Sequence, residues 1–145
     1  MTGGSRRAPQ VLLVDDSPVM RSFLKRALSV CGFQVDGYLE AADGRAALEV
    51  LDRQHPDLVL TDINMPVLDG EGFLRELRRR PDCANLPVVV VSTDATESRV
   101  ARLLELGANG YLTKPFEPER LAGLLTQVLE AAYQNRDPEF EEPRR

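Results

Sequence analysis

The sequence predicts an α/β protein in which five short parallel strands alternate with five helices. Four short apolar runs and a weaker fifth are separated by segments whose apolar residues recur at helical spacing. Continuous apolar runs of this length are typical of strands buried on both faces. Such strands belong to a parallel sheet that is covered by helices on each side. We therefore expect a doubly wound, five-stranded sheet.

The composition fits one ordinary globular domain. The chain has 145 residues, enough for a single core. Its net charge of -5 argues against a general nucleic-acid surface, which is usually basic. Cys31 and Cys83 show no metal-type spacing, and no apolar stretch approaches the roughly 18 residues of a membrane helix. Because residues 1–9 also lack a signal-peptide pattern, we expect a cytoplasmic protein.

The first half of the domain contains three predicted strands and two helices. The first strand is 11–14, and Ser17-Pro18 begins a helix because Ser caps helices and Pro suits their first position. Gly32 ends that helix. A weaker edge strand lies around 34–40, and a helix capped by Asp43 leads to the third strand, 58–61.

The second half alternates in the same way. A helix over 72–80 is followed by the strand 88–91 and by a short helix that stops at Gly107. The last strand is 110–113. A final helix presents one apolar face, formed by Leu121, Leu124, Leu125, Val128, Leu129 and Ala132. We expect the domain to span 10–133, between a disordered arm at 1–9 and a solvated acidic, Pro- and Arg-containing tail at 134–145.

Polar side chains follow four of the predicted strands. Asp15 and Asp16 follow the first strand, Asp62 the third, Ser92 the fourth and Lys114 the last. The carboxyl ends of parallel strands share one edge of a sheet, which is where ligands bind. Carboxylates about 5 Å apart repel one another by about 3 kcal/mol at an effective dielectric near 20. A bound cation such as Mg²⁺, or protonation, relieves that repulsion, and a nearby Lys can stabilise a phosphoryl group.

These motifs in combination resemble the response-regulator receiver domain of two-component signalling, and most of all its single-domain chemotaxis form, the CheY-like proteins. The matching segments are Asp15-Asp16, Asp62-Ile63-Asn64-Met65-Pro66 with Asp69-Gly70, Ser92-Thr93, Gly110-Tyr111 and Lys114-Pro115-Phe116. The resemblance covers about residues 10–133. It implies the flavodoxin-like strand order 2-1-3-4-5.

The resemblance also implies a chemistry. Asp62 would accept a phosphoryl group from the phosphohistidine of a sensor histidine kinase or phosphotransfer protein. The cofactor would be Mg²⁺, held directly by Asp16 and Asp62, through water by Asp15, and by the backbone carbonyl of Asn64. Lys114 would contact the phosphoryl group through its side chain, and its bond to the following proline is expected to be cis.

The same resemblance assigns residues that would change conformation on phosphorylation and residues that would set the lifetime of the phosphorylated state. Ser92 would move toward the phosphoryl group, and Tyr111 would rotate into the space that Ser92 leaves. The fourth helix, fifth strand and fifth helix would then engage a downstream protein. Asn64 and Asp94 would set the lifetime of the phosphorylated state, which we expect to be seconds to minutes. We expect a monomer that neither binds nucleic acid directly nor inserts into membranes.

One alternative is a receiver that forms part of a larger regulator. Nothing after residue 133 resembles a helix-turn-helix. The receivers of many winged-helix regulators dimerise through an acidic pair before the fifth-strand Tyr and an Arg in the fifth helix. This chain has Asn109-Gly110 and Gly123-Leu124-Leu125 at those places, and these residues favour a stand-alone receiver.

Two further alternatives concern other chemistry. Phosphatases that resemble haloacid dehalogenases carry a general-acid Asp two residues after the nucleophile. Asn64 occupies that position and cannot donate a carboxyl proton, so we expect no enzyme beyond self-phosphorylation and self-dephosphorylation. A flavin site would need a phosphate cradle of Gly or hydroxyl residues. Asp15-Asp16 would repel a phosphate there.

Overall fold

The structure is a computed structural model, and it describes residues 7–94 and 96–136. Its parallel strands are β1 (Gln10–Val14), β2 (Gly37–Ala41), β3 (Leu58–Thr61), β4 (Val88–Ser92) and β5 (Gly110–Thr113). Its helices are α1 (Pro18–Val30), α2 (Gly44–Leu51), α3 (Gly70–Arg79), α4 (Glu97–Glu105) and α5 (Pro118–Arg136). The predicted alternation of strands and helices is confirmed. Most of the predicted arm and tail lies outside the described residues.

The five strands form one parallel sheet in the order β2-β1-β3-β4-β5. The flavodoxin-like order is thereby confirmed, with the weak strand β2 at an edge. Every residue of β3 and β4 is buried, as expected for central strands that helices cover on both faces. Two separate clusters of buried side chains, one on each face of the sheet, form the core.

Side-chain caps fix where the helices begin. Ser17, Asp43 and Asp69 each accept a hydrogen bond from a backbone N–H in the first turn of α1, α2 and α3. The third helix was predicted from residue 72 and begins at Gly70, because Asp69 is its cap. The glycines predicted to stop two helices, Gly32 and Gly107, both have positive φ.

Several residues lie elsewhere than the helical pattern predicts. The helical spacing of apolar residues indicates an inward position for Phe23 and Leu104, yet 42% and 46% of their surfaces are exposed. The run Arg78-Arg79-Arg80 indicates a basic outer face at the C-terminal end of α3, which would include Arg78. It is instead half-buried, and its guanidinium donates to the backbone carbonyls of Cys83 and Gly107. In the described part of the chain, every helix is too short or too polar to cross a membrane.

Candidate functional site

Three carboxylates meet at the carboxyl edge of the sheet, as predicted from the strand ends. One oxygen from each of Asp15, Asp16 and Asp62 lies within 4.8 Å of the others. The strand register brings them together, because Val14 of β1 pairs with Thr61 of β3 and each is followed by an acid. Backbone bonds fix the segment further, with the amide of Asp62 donating to the carbonyl of Val14 at 2.9 Å.

The three acids differ in exposure. Asp15 is buried, Asp62 is half-buried and Asp16 is open to solvent. Burial raises the pKa of the Asp15 carboxyl above its ordinary value of 3.8, although a hydrogen bond from the amide of Ser17 and the charge of Lys114 act in the opposite direction. Ionised carboxylates in this cluster are therefore destabilised by desolvation. A bound cation would offset that cost by its attraction to them.

Lys114 supplies positive charge to the cluster. Its Nζ lies 3.4 Å from Asp15 Oδ2 and 3.4 Å from Asp62 Oδ2. The lysine follows β5, and its amide donates to the carbonyl of Ser92 at the end of β4. The expected cis peptide bond between Lys114 and Pro115 is present. An ammonium group shared by two carboxylates can also contact an anion that is bound between them.

The end of β4 brings a hydroxyl and an aromatic residue together. Ser92 is fully buried, and its Oγ accepts a hydrogen bond from the amide of Asp94 at 3.3 Å. The hydroxyl of Tyr111 in β5 donates to the carbonyl of Asp94. Burial raises the pKa of Tyr111 above its ordinary value of 10.0, and the charge of Asp94 adds to this effect. Tyr111 and Ser92 are therefore linked through one loop residue.

A tight loop follows Asp62. The amide of Gly70 donates to the carbonyl of Ile63 at 2.7 Å. A Cβ atom added at Gly70 would lie 2.3 Å from the carbonyl oxygen of Asp62, so only glycine allows this close approach. Asn64 is exposed in the loop, and the amide of Ile63 donates to Asp62 Oδ1 at 2.7 Å. The loop thus orients the Asp62 carboxylate from its own backbone.

The donor set fits a small divalent cation. Carboxylate oxygens and carbonyls are the ligands that Mg²⁺ prefers, and two oxygens on one Mg²⁺ lie up to about 4.2 Å apart. One oxygen from each of Asp15, Asp16 and Asp62 lies within 4.8 Å of the others, which is close to that spacing. One ligand open to solvent, Asp16, would leave room for water in the coordination shell.

Sequence reasoning missed two groups of residues near the site. Arg99 and Glu71 form an ion pair that reaches Asp94, and the chain separation of 28 residues between them gives no local signal. Phe23 and Phe116 pack together beside the acids, with ring centroids 5.8 Å apart. An aromatic residue at helical spacing usually indicates a core position. The exposure of Phe23 can therefore be recognised only in the tertiary structure.

Comparison with known proteins agrees with this architecture. The protein-family model of the response regulator receiver domain matches residues 11–126 of this chain. A probable chemotaxis protein CheY from Rhizobium etli is 34% identical over 122 residues, which cover 84% of this chain and 93% of that protein. A probable transcriptional regulator, ycf27 from Porphyridium aerugineum, is 38% identical over 120 residues, 83% of this chain and 48% of that protein. The chain spans about half the length of the first curated relatives that it matches.

Solved structures give the same result. The chemotaxis response regulator CheY4 of Vibrio cholerae matches with a TM-score of 0.75 at 32% identity, over 84% of this chain and 99% of that one. The receiver domain of the sensor histidine kinase PA1611 from Pseudomonas aeruginosa PAO1, which has a magnesium ion coordinated in its active-site cleft, matches with a TM-score of 0.74 at 30% identity, over 86% and 99%. With its strand order and its edge of acids, the chain belongs to the response regulator receiver domain family of two-component signalling.

Proposed function

We propose that Asp62 accepts a phosphoryl group from a phosphohistidine on a partner protein. In the transfer, the phosphorus–nitrogen bond breaks, an oxygen of Asp62 forms the new bond to phosphorus, and the freed imidazole nitrogen takes a proton from solvent. The observation that carries this proposal is the convergence of Asp62 with Asp15, Asp16 and Lys114 at one edge of the sheet. Sensor histidine kinases or phosphotransfer proteins are the donors we propose.

The acids would hold Mg²⁺, with Asp16 and Asp62 as direct ligands, Asp15 acting through water and the backbone carbonyl of Asn64 completing the set. When bound, the ion neutralises charge on the transferring phosphoryl group. Lys114 contacts the oxygens of that group with its ammonium, which is already drawn to Asp62. The backbone amide of Ile63 keeps the Asp62 carboxylate oriented.

Phosphorylation would act on the far surface through Ser92 and Tyr111. A phosphoryl group on Asp62 adds negative charge and acceptor oxygens. The hydroxyl of Ser92 turns toward those oxygens, and Tyr111, whose hydroxyl reaches the carbonyl of Asp94, takes the space that Ser92 leaves. This two-state change alters the surface of α4, β5 and α5, which would engage a downstream protein.

An exposed apolar patch beside the acids is suited to the donor protein. It comprises Val19, Met20 and Phe23 of α1 with Pro115 and Phe116 after β5. Of these, Val19 is 78% exposed and Phe23 is 42% exposed. A helix of the donor that carries the phosphohistidine could bury these side chains while it presents its imidazole to Asp62. Phe23→Ser should therefore weaken transfer from a protein donor and leave transfer from a small phosphodonor unchanged.

Asn64 and Asp94 would set how long the phosphoryl group survives. Both are polar, and we propose that they influence the attack of water on the phosphorylated Asp62. A lifetime of seconds to minutes follows, whereas a decay time of many hours at neutral pH would contradict this assignment. We also propose that the protein turns over no external substrate, because Asn64 cannot serve as the general acid of an Asp-nucleophile phosphatase.

A stand-alone regulator is the organisation we propose. The CheY relative is covered over 93% of its length, which supports it. The alternative is a receiver within a larger regulator. It is supported by relatives that are about twice as long as the segment that matches this chain. Expression of the chromosomal protein and measurement of its full mass distinguishes the two.

The test of the proposed function is phosphorylation by acetyl phosphate, followed by intact mass spectrometry. With Mg²⁺, the protein should gain the mass of one phosphoryl group, and chelation of the metal should abolish the gain. Asp62→Asn should abolish it as well, and Asp36→Asn, which removes another exposed carboxylate, should not. Equal labelling of the wild type and Asp62→Asn would overturn the proposal.

A further inference from the structure

An arginine of α1 is bound to the backbone of the acidic loop between β1 and α1. Nη1 of Arg21 donates to the backbone carbonyl of Asp15. Nε of the same guanidinium donates to Oε1 of Glu40 in β2 at 2.7 Å. The arginine side chain is only 16% exposed. Arg21 therefore connects the loop that carries two of the clustered acids to the neighbouring edge strand.

The carbonyl that Arg21 binds belongs to the peptide group between the two acids of the loop. On the strand side of this group, the amide of Asp15 donates to the carbonyl of Ala41 at 3.1 Å. On the helix side, the amide of Ser17 donates to Asp15 Oδ1 at 2.9 Å. A peptide group is planar, so a bond that fixes its carbonyl also fixes the backbone from which the side chain of Asp16 projects.

The position of Asp16 depends on its backbone. Its side chain is exposed, and within residues 7–94 and 96–136 its carboxylate has no hydrogen-bond or ion-pair partner. The carboxylates of Asp15 and Asp62 are instead each bound by Lys114 and by a backbone amide. Of the three acids, Asp16 is thus the one that its own side-chain contacts do not orient.

We propose that Arg21 is a positioning residue for the cation site: by fixing the peptide group between Asp15 and Asp16, it holds the Asp16 carboxylate where it can bind Mg²⁺. This inference rests on the proposed Mg²⁺ site at the three acids. Mg²⁺ requires nearly ideal octahedral geometry, so its affinity falls when a ligand has to be reoriented on binding. Glu40 assists by orienting the guanidinium of Arg21.

The charge and the positioning role of Arg21 predict opposite effects of its removal. Loss of a positive charge near the acids would by itself strengthen the binding of a cation. That effect is reduced here, because Glu40 pairs with the guanidinium at 2.7 Å. Loss of the positioning bond would weaken binding. Groups that orient metal ligands contribute about 10- to 100-fold in affinity, and because Arg21 acts through a backbone carbonyl we expect a loss of about three- to tenfold.

Lys25 offers a matched control. It lies one turn further along α1, and its Nζ donates to the other carboxylate oxygen of Glu40 at 2.5 Å. Among the described residues it makes no bond to the loop between β1 and α1. Lys25→Met therefore removes the same charge from the same helix, next to the same glutamate, and leaves the bond to the Asp15 carbonyl intact.

The experiment is a double-mutant cycle on the affinity for Mg²⁺, measured by calorimetric titration without a phosphodonor. It compares the wild type, Arg21→Met, Asp16→Asn and the double variant, with Lys25→Met as the control. Arg21→Met should bind Mg²⁺ about three- to tenfold more weakly than the wild type. In the Asp16→Asn background the same change should alter the affinity by less than about twofold, because the ligand that Arg21 positions is already lost. Lys25→Met should match the wild type.

The rate of phosphorylation by acetyl phosphate at increasing Mg²⁺ concentration separates positioning from a general loss of structure. Arg21→Met should need about three- to tenfold more Mg²⁺ for its half-maximal rate. Its rate at saturating Mg²⁺ should stay within about twofold of the wild-type rate, because the bound ion then holds Asp16 in place.

Three results would overturn the inference alone, each with an Asp16→Asn variant that binds Mg²⁺ more weakly than the wild type. The first is an Arg21→Met variant that binds Mg²⁺ as tightly as Lys25→Met does. The second is an equal effect of Arg21→Met in both backgrounds, which would mean that Arg21 does not act through Asp16. The third is a rate that remains low at saturating Mg²⁺. An affinity for Mg²⁺ that Asp16→Asn leaves unchanged would overturn the proposed cation site and this inference with it.

Discussion

The ammonium nitrogen of Lys114 lies 3.4 Å from Oδ2 of Asp62, although the two residues are 52 positions apart in the chain. The same nitrogen lies 3.4 Å from Asp15. One lysine thus partly neutralises two of three clustered acids. The ammonium would repel a cation that enters this cluster. It would attract the negatively charged oxygens of a phosphoryl group.

Replacing Lys114 with Met should separate these two effects. We expect Mg²⁺ to bind several-fold more tightly, because a positive charge beside the acids is removed. Phosphorylation by acetyl phosphate should slow by about tenfold or more, because a donor to the phosphoryl oxygens is lost. Calorimetric titration gives the first quantity and intact mass over time gives the second. Lys25→Met, which removes the only other lysine, should change neither.

Asp16 provides a test of the cation site. It is the exposed member of the cluster, so its replacement disturbs the core little. We expect Asp16→Asn to weaken Mg²⁺ binding by about tenfold or more in a calorimetric titration, since a charged ligand is removed. Asp36→Asn, at another exposed aspartate, serves as the control. Equal affinities in the two variants would argue against a metal site at these acids.

The carboxylate of Glu40 in β2 makes the stability of the folded protein depend on pH. Its carboxylate accepts from Lys25 at 2.5 Å and from Arg21 at 2.7 Å, and these bonds lower its pKa below the ordinary 4.5. A lowered pKa means that the folded state holds the proton more weakly than the unfolded state does. The stabilisation is therefore present above pH 4.5 and is lost as the pH falls through the folded-state pKa.

Glu40→Gln should accordingly reduce the free energy of unfolding at pH 7 by less than about 1 kcal/mol, as is usual for exposed pairs. The difference from the wild type should shrink with added salt and disappear in acid. Urea unfolding at several pH values measures it. A difference that persists unchanged well below pH 4.5 would mean that the carboxylate charge is not its source.

Val67 has an unfavourable backbone conformation. Its φ is +68°, and the amide of Leu68 donates to the carbonyl of Pro66 across it, a tight turn that β-branched residues rarely adopt. The side chain is 80% exposed, so replacing it removes little packing. We expect Val67→Asn to raise the free energy of unfolding by about 0.5–1 kcal/mol, because Asn tolerates this region better.

Chemical denaturation measures the effect, with Val30→Asn as the comparison. Val30 is also highly exposed, but it lies in α1 with helical backbone angles. We expect no stabilisation there. A Val67→Asn variant that is no more stable than the wild type would indicate that the loop relaxes the strain in another way.

The strands and the ends of the strands could be predicted because their signals are local. A buried parallel strand is a continuous apolar run, and the acid that follows it is necessarily at the edge of the sheet. The sequence alone therefore locates Asp15, Asp62 and Lys114 at that edge. The order of the strands is different: no pattern in the chain specifies it, and it came from the resemblance to receiver domains.

What could not be predicted depends on pairs that are distant in sequence. Arg78 resembles the other arginines at the end of α3, and its burial is explained by distant partners, the carbonyl of Gly107 and the side chain of Asn109, together with the nearer carbonyl of Cys83. Arg99 likewise gives no local sign that it joins Glu71 to Asp94. Helical spacing identifies one apolar face of a helix. It does not indicate which residue at the border of that face stays exposed, and Phe23 is such a residue.

The position of the phosphoryl group is the most direct test of the account. The protein is treated with acetyl phosphate and Mg²⁺, the acyl phosphate is reduced with borohydride, and the tryptic peptides are sequenced by mass spectrometry. Cleavage after Arg53 and Arg75 separates Asp62 from Asp15 and Asp16, and fragmentation distinguishes it from Asp57 and Asp69. We predict reduction at Asp62 alone. Reduction at any other aspartate, or at none, would contradict the account.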